Sequence, residues 1–469
     1  MQPQISGAAQ VVLASTYDLG HQPLGLSSPA AWLRDAGATV RCLDLSLDRL
    51  DEAAIREAAL VAFHVPMHTA TRLASEIIPK VRALNPDAHI AAYGLYASVN
   101  QDHLRSLGVS TVIGGEYEAA LVDVYEALVA GRTVARNGTT VHLDKLHFRL
   151  PDRSGLPNVS EYGKLRALDG SDVVSGYTEG SRGCKHLCRH CPVVPVYNGA
   201  FRIVQRDVVL EDVAQQVAAG ARHITFGDPD FFNGPRHGMA IVTALHERFP
   251  DLTYDVTIKV EHLLRHRELL AALAKTGCLF VTTAVEALDD ESLAILDKGH
   301  TRADFMEAVS LAQTAGLTLS PTFVTFAPWT TIESYAALLE DIVALDLVGH
   351  VSPVQLAIRL LVPRGSLLAG HPAMEEAMGE FDPDRLSYQW RHVDPGVDAL
   401  HQDVQRAVEE GDSANESRQE IFARVWALAQ AATGANRPLP EFPTMVAVPH
   451  MSEPWYCCAE PTDLQRNAI

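Results

Sequence analysis

Cys184, Cys188 and Cys191 lie in the run Glu179-Gly-Ser-Arg-Gly-Cys-Lys-His-Leu-Cys-Arg-His-Cys-Pro192. A C-x3-C-x2-C spacing puts three thiolates on one short loop. Thiolates are the usual ligands of iron–sulfur clusters. No Cys follows until Cys278, so the loop cannot supply a fourth thiolate. Three thiolates hold three corners of a [4Fe–4S] cube and leave the fourth iron open to chemistry. The competing reading is a zinc site, in which His186 or His190 completes the ligand set. A second pair of soft ligands, Cys457 and Cys458, lies in Ser452-Glu-Pro-Trp-Tyr-Cys-Cys-Ala-Glu-Pro-Thr462. Adjacent thiolates suit a thiophilic partner such as a trivalent arsenical, another metalloid or a thiol-bound substrate. They could instead cycle as a strained dithiol–disulfide pair, or belong to a mobile terminus. The neighbouring Trp455 and Tyr456 favour docking onto a surface. Cys42 and Cys278 read as buried core thiols.

These loops need elements to position them. In the first 130 residues, short apolar runs alternate with helical patterns. Val11–Ser15, Val40–Asp44, Leu60–His64, His89–Tyr93 and Thr111–Gly114 read as strands. Ser28–Ala36, Ala70–Leu84 and Glu118–Ala130 read as helices, with Ser28 capping the first ahead of Pro29. Such alternation predicts a parallel, doubly wound Rossmann-like α/β domain over residues 1–148. Ligands of these sheets bind beyond the carboxyl ends of the strands. Those ends are Thr16–Leu26, His64–Thr69, Gly94–Asn100 and Gly114-Gly-Glu-Tyr117.

A connector punctuated by Pro151, Gly155 and Pro157 leads to a second α/β series over residues 149–372. Its strands read as Val173–Thr178, His223–Gly227, Tyr254–Ile258, Leu279–Thr283, Leu319–Phe323 and Val354–Ile358. Six βα units predict a partial (β/α)6 barrel with the cysteine loop at a strand's carboxyl end, where parallel barrels keep their active residues. Residues 373–469 read as a helical region with an extended Cys tail. The stripe Ile421, Phe422, Val425, Trp426 and Leu428 reads as packing surface. His300, His371, His392 and His401 read as ordinary core or surface histidines.

Composition bounds the rest. A length of 469 residues and 47% hydrophobic content fit two or three packed domains. A net charge of −20 argues against nonspecific nucleic-acid or anionic-membrane binding. No apolar stretch long enough for a membrane span and no signal-like N-terminus are visible. The cysteine usage fits a reducing cytoplasm.

The C-x3-C-x2-C loop followed by βα units resembles the radical S-adenosylmethionine (SAM) superfamily. The resemblance implies an enzyme whose [4Fe–4S] cluster binds SAM at the open iron and cleaves it reductively. A small-molecule substrate and an electron donor such as flavodoxin or ferredoxin are implied with it. The N-terminal layout is similar to the cobalamin-binding domain of one large class of this superfamily. The lower-ligand pattern Asp-x-His-x-x-Gly is absent, the nearest segment being Tyr17-Asp-Leu-Gly-His21, which leaves two expectations: cobalamin held without a protein His ligand, or a Rossmann-like scaffold that only covers the barrel mouth. For SAM, the family scheme points to Gly227, Asp228 and Asp230 after the second strand and to Glu286 closing the fourth. Lys259 and Glu261, ending the third, are weaker candidates. Arg359 and Arg364, near the sixth, could hold a carboxylate bidentately, Arg364 reading equally as a turn residue. The tail resembles the radical SAM group named for Cys-Cys-Ala-Glu-Pro, whose sister group includes the enzyme of arsinothricin biosynthesis. That resemblance implies transfer of a SAM-derived group, 3-amino-3-carboxypropyl, to a soft atom such as arsenic held by Cys457 and Cys458. The second expectation is a cobalamin-dependent radical methyltransferase acting on a small-molecule carbon.

Overall fold

The computed structural model describes residues 10–134, 139–435, 437–440 and 448–453. The first sheet contains β1 (Gln10–Ser15), β2 (Thr39–Asp44), β3 (Leu60–His64), β4 (His89–Tyr93), β5 (Thr111–Gly115) and β6 (Thr139–His142). All pair in parallel, in the order β2-β1-β3-β4-β5-β6. Helices cover both faces, which is why these strands read as continuous apolar runs. Successive side chains enter opposite cores. Val12, Ala14, Val61 and Phe63 share one, and Val11, Leu13, Leu60 and Ala62 share the other. The strand order reverses at β1 and β3. Doubly wound sheets bind their ligands near such a reversal, beyond the carboxyl ends of the strands.

Ser28 departs from its expected role. The first helix runs Leu24–Asp35, with Pro23 at its N-cap. Ser28 therefore lies inside the helix, and its hydroxyl donates to Glu118 at 2.7 Å.

The second sheet has the order β14-β13-β12-β11-β8-β7-β17. Its parallel strands are β8 (Asp172–Thr178), β11 (His223–Phe226), β12 (Thr253–Thr257), β13 (Cys278–Glu286) and β14 (Thr318–Phe323). On the β8 edge, β7 (Lys164–Arg166) and β17 (His450–Met451) add antiparallel. Two short strands, β9 (Ser181–Gly183) and β10 (Phe201–Ile203), form a ribbon that carries the cysteine loop. A hairpin of β15 (Met378–Asp382) and β16 (Ser387–Trp390) follows the barrel.

The expected sixth strand at Val354–Ile358 is a correction. Pro353–Leu356 is a 3-10 turn, and a single parallel bridge joins Phe326 to Arg359. The Gln355 side chain explains the change. Its Oε1 accepts the Phe323 N–H at 3.0 Å, replacing the ladder bond a strand would have supplied. The barrel is thus nearly closed, with five regular strands among the described residues.

Two C-terminal helices, Pro395–Ser413 and Arg418–Thr433, pack on the barrel. Val397, Leu400, Val404, Ile421, Phe422, Val425 and Trp426 join the barrel core, as their spacing predicts. No described helix is long and apolar enough to cross a membrane.

Candidate functional site

β8 ends at Thr178, and the chain turns through Glu179 and Gly180 into the β9–β10 ribbon. Gly183 has φ +75°, and a side chain there would run into the Tyr197 ring and lie 2.6 Å from the Ala200 carbonyl. Only Gly suits such a position. Cys184 follows directly. Asn233 Oδ1 accepts the Lys185 N–H at 3.1 Å, and the Cys191 N–H donates to the Cys188 carbonyl at 3.1 Å. Arg189 pins the loop's far side by donating to the carbonyls of Ala294 (2.8 Å) and Ile295 (2.7 Å).

Burial, and then the Asp230 carboxylate, push the Cys184 thiol up; burial, and then the Cys188 thiolate, take Cys191 to about 12. The surroundings of Cys184 and Cys191 therefore oppose their ionisation until a cation arrives. The donor set fits a cluster bound through three irons. The zinc alternative loses its fourth ligand. His186 Nε2 faces Asp230 at 3.4 Å, and His190 Nε2 faces Glu286 at 3.2 Å.

The residues assigned to SAM by the family scheme fall into two sets. Gly227 follows β11 where any side chain would overlap the Tyr177 hydroxyl. Asp228 accepts from the Gly180 N–H (2.8 Å) and the Ser181 hydroxyl (2.6 Å), so it ties the β11 turn to the start of the cysteine loop. Burial pushes its carboxyl up to about 7. Asp230 lies between His186 and His262. Glu286 ends β13 with φ +72°, a strained conformation for a non-Gly residue. It meets His190 and Lys298, each at 3.2 Å. Although burial opposes its charge, Lys298 and then His190 hold Glu286 down to about 2. Lys259 follows β12 and faces Glu261 at 3.6 Å.

Arg359 stands apart. Its guanidinium pairs with Asp398 at 2.7 Å, donates to the Trp390 carbonyl at 2.8 Å and lies 3.5 Å over the Trp390 ring. The carboxylate it holds is the protein's own. Arg364 is half-exposed over Phe381 and faces Asp102 at 3.9 Å.

Lys298 and Arg182 carry no signal in the sequence reading. Lys298 follows Glu286 by twelve residues, and only the fold shows that they pair. His300, read as an ordinary histidine, is buried beside Lys298 and Lys259; burial first, and then these ammonium groups, push it down to about 4.

The Glu286–Lys298 pair gives a pH-dependent prediction. An acid whose folded value is depressed adds stability above its unfolded value of about 4.5, and loses it as pH falls toward about 2. Lys298→Met should cost about 3–5 kcal/mol at neutral pH, because it strands a buried carboxylate. Adding Glu286→Gln should recover most of this. Denaturant midpoints of the two variants at pH 7 check the expectation; equal midpoints contradict it.

The two sheets meet through Arg182. Its guanidinium reaches Glu118 (2.8 Å), Glu179 (2.9 Å) and Glu116 (3.2 Å). Tyr197 donates to Glu116 at 3.0 Å. The Gly114-Gly-Glu-Tyr-Glu118 loop after β5 is thereby fastened to the cysteine loop.

A cleft of about 730 Å³ opens at the carboxyl ends of β1 and β2, lined by Thr16, Tyr17, Ser46, Leu73 and Tyr162. A second fills the barrel interior between Thr225, Asp255, Thr282, Ser320 and Thr322. Both are lined by Glu453, and the Leu19–His21 turn contributes to each side. Glu453 accepts from the Tyr17 hydroxyl at 2.7 Å. His21 stacks on Tyr177 with ring centroids 4.7 Å apart. The Ser15 hydroxyl at the end of β1 is buried without a partner. The hydroxyls of Thr16, Tyr17, Ser46 and Tyr162 along this cleft, beyond the carboxyl ends of β1 and β2, suit the polar edge of a corrin. Its lining contains no His, in keeping with the missing lower-ligand pattern. Cys457 and Cys458 lie outside the described residues.

Residues 178–342 match the family model of the radical SAM superfamily, and residues 10–125 match that of the B12 binding domain. The chain carries a B12-binding domain followed by a radical SAM domain. The two domains imply a [4Fe–4S] cluster, SAM and cobalamin as cofactors. The chain is 25% identical over 325 residues to hopanoid C-3 methylase of Methylococcus capsulatus, covering 66% of this chain and 62% of that protein. It is 24% identical over 132 residues to bacteriochlorophyllide d C-12(1)-methyltransferase of Chlorobaculum tepidum, 28% of each chain. Among solved structures, the cobalamin-dependent SAM radical enzyme OxsB superposes with TM-score 0.68 at 15% identity, over 86% of this chain and 67% of that one. The radical SAM methyltransferase TsrM of Kitasatospora setae gives TM-score 0.59 at 20% identity, over 72% of each. At these identities the two structures establish the shared fold.

Proposed function

We propose that this enzyme is a cobalamin-dependent radical SAM methyltransferase acting on a carbon of a small molecule. The observation that carries this reading is the pair of clefts lined in common by Glu453, one in the B12-binding fold and one inside the radical SAM barrel. Bound cobalamin supplies a methyl carrier, and a cluster on Cys184, Cys188 and Cys191 supplies an electron and an open iron for SAM. The chain's own residues do the positioning. Asp228 holds the start of the cysteine loop, and Asn233 and Arg189 hold its two sides. Glu286 and Lys298 bring fixed charges to the edge of the thiolate pocket. Gly227 and Asp230 border the same turn, where the family scheme places the methionyl amine of SAM. Hydroxyls of Thr225, Thr282, Ser320 and Thr322 give the barrel cavity a polar wall for a substrate. A one-electron donor of the flavodoxin or ferredoxin type completes the cycle.

Support comes also from the hopanoid and bacteriochlorophyllide relatives, both named as enzymes that methylate a carbon. Aminocarboxypropyl transfer to arsenic rests on Cys457 and Cys458 alone, whereas the B12-binding domain gives methyl transfer a carrier.

Protein produced with a cobalamin supply should therefore copurify with about one equivalent, seen by its visible absorption. Because the cleft lining offers no His, the spectrum should be that of cobalamin without a protein imidazole ligand. Colourless protein after supply and cluster removal contradicts the methyltransferase reading.

A further inference from the structure

His186 sits between Cys184 and Cys188 but turns away from the thiols. Its Nε2 lies 3.4 Å from Asp230 Oδ2. On the other side of the same oxygen is His262 Nδ1, at 2.6 Å. All three atoms lie within 4.8 Å of one another. They come from three separate elements: the cysteine loop, the turn after β11, and helix Val260–Arg265 after β12.

Two further observations set this cluster apart from a hydrogen-bonded triad. His186 Nε2, Asp230 Oδ2 and His262 Nδ1 are each buried, and none makes a hydrogen bond of acceptable geometry. A close N···O approach without a donated proton leaves lone pairs converging on one point. Burying a carboxylate and two imidazoles in that state is costly unless a cation joins them. The remaining atoms are arranged as supports. Asp230 Oδ1 accepts the Phe232 N–H at 3.0 Å, which leaves Oδ2 facing inward. Glu261 Oε2 faces the other ring nitrogen of His186, Nδ1, at 3.6 Å. A carboxylate behind a metal-bound histidine fixes the tautomer and raises the ligand's basicity.

We infer that His186, Asp230 and His262 form a second metal site beside the cysteine loop, which takes a divalent transition-metal cation of the zinc class. Two histidines and one carboxylate are a ligand set for Zn²⁺ or Fe²⁺ with an open position. Ligands about 2.1 Å from a tetrahedral ion lie roughly 3.4 Å apart. The His186–Asp230 spacing meets this, and the His262–Asp230 contact opens by less than an ångström to do so. The ion ties the cysteine loop to the two neighbouring strand ends. Its fourth position is left for water or for an oxygen, nitrogen or sulfur donor of the substrate. Asp230, assigned above to the methionyl amine of SAM by resemblance, is on this inference a metal ligand.

The test is metal analysis of the full-length, cluster-reconstituted enzyme after equilibration with buffered Zn²⁺ and removal of loose metal. The expected result is about one zinc beside four irons, or about five irons with zinc absent where Fe²⁺ fills the site. His262→Ala and Asp230→Asn should lower that extra metal at least tenfold and leave four irons. Glu261→Gln should weaken zinc binding about tenfold, as loss of a supporting carboxylate does. This last variant changes a half-exposed residue and decides the matter should the buried variants fail to fold. Four irons with no extra metal in the parent enzyme overturns the inference, as does unchanged zinc affinity in Glu261→Gln together with unchanged metal in any folded ligand variant.

Discussion

Replacing Cys184, Cys188 and Cys191 together with Ala should abolish all four irons of the reconstituted enzyme and all reductive cleavage of SAM. The reason lies in the pocket. The thiols share a buried site whose desolvation and mutual repulsion raise Cys191 to about 12. Such thiols ionise only for a cation, and a cluster supplies it. The loop geometry depends on Gly183, Asn233, Arg189 and Asp228, none of which the substitution touches. The fold should persist, so that the four cluster irons are lost with little change in circular dichroism. Single replacements should leave at most partial, oxygen-labile clusters. Four irons in the triple variant would sink the cluster assignment.

Removal of Arg182 should have the largest effect on stability. One guanidinium faces the carboxylates of Glu116, Glu118 and Glu179, and Glu116 and Glu118 are 1% and 0% exposed. Arg182→Met leaves these charges buried without a cation. Losing one partner of a buried pair costs about 3–5 kcal/mol. Burial already pushes Glu116 up, with Arg182 opposing it, so the variant carboxylate should take up a proton at higher pH than the parent's. The stability of the variant relative to the parent should therefore be worst at high pH and partly recover as pH falls. A second change, Glu118→Gln, should restore part of the loss. Because this contact fastens the loop after β5 to the cysteine loop, cobalamin retention should fall as well. Thermal unfolding across pH 6–9 reads the outcome. A parental melting temperature throughout contradicts this account of the interface.

Much of the scaffold was legible because its strands are buried on both faces. Val11–Ala14, Leu60–Phe63 and Ile90–Tyr93 stand out as apolar runs against amphipathic helices. The cysteine spacing exposed the loop, and Ile421, Phe422, Val425 and Trp426 mark a packing face. Val354–Ile358 misled because the run has strand-like composition, while Pro353 and the Gln355 side chain favour a turn. Ser28 has the type and place of a cap, but its hydroxyl serves Glu118, ninety residues on. Arg182 and Lys298 were invisible for the same reason: their partners are fixed by tertiary contact, with no periodic spacing. Arg359 shows the converse. Its type and position suit a ligand carboxylate, yet Asp398 and Trp390 already occupy it.

Methyl transfer and aminocarboxypropyl transfer break different carbon–sulfur bonds of SAM. The nucleoside left behind therefore reports which reaction occurs. Anaerobic enzyme carrying both cluster and cobalamin, supplied with reductant and SAM bearing a deuterated methyl group, should yield S-adenosylhomocysteine in proportion to its cobalamin content. The deuterated methyl should leave the sulfonium. Methylthioadenosine as the main product, with the deuterated methyl still on sulfur, would contradict the methyltransferase account.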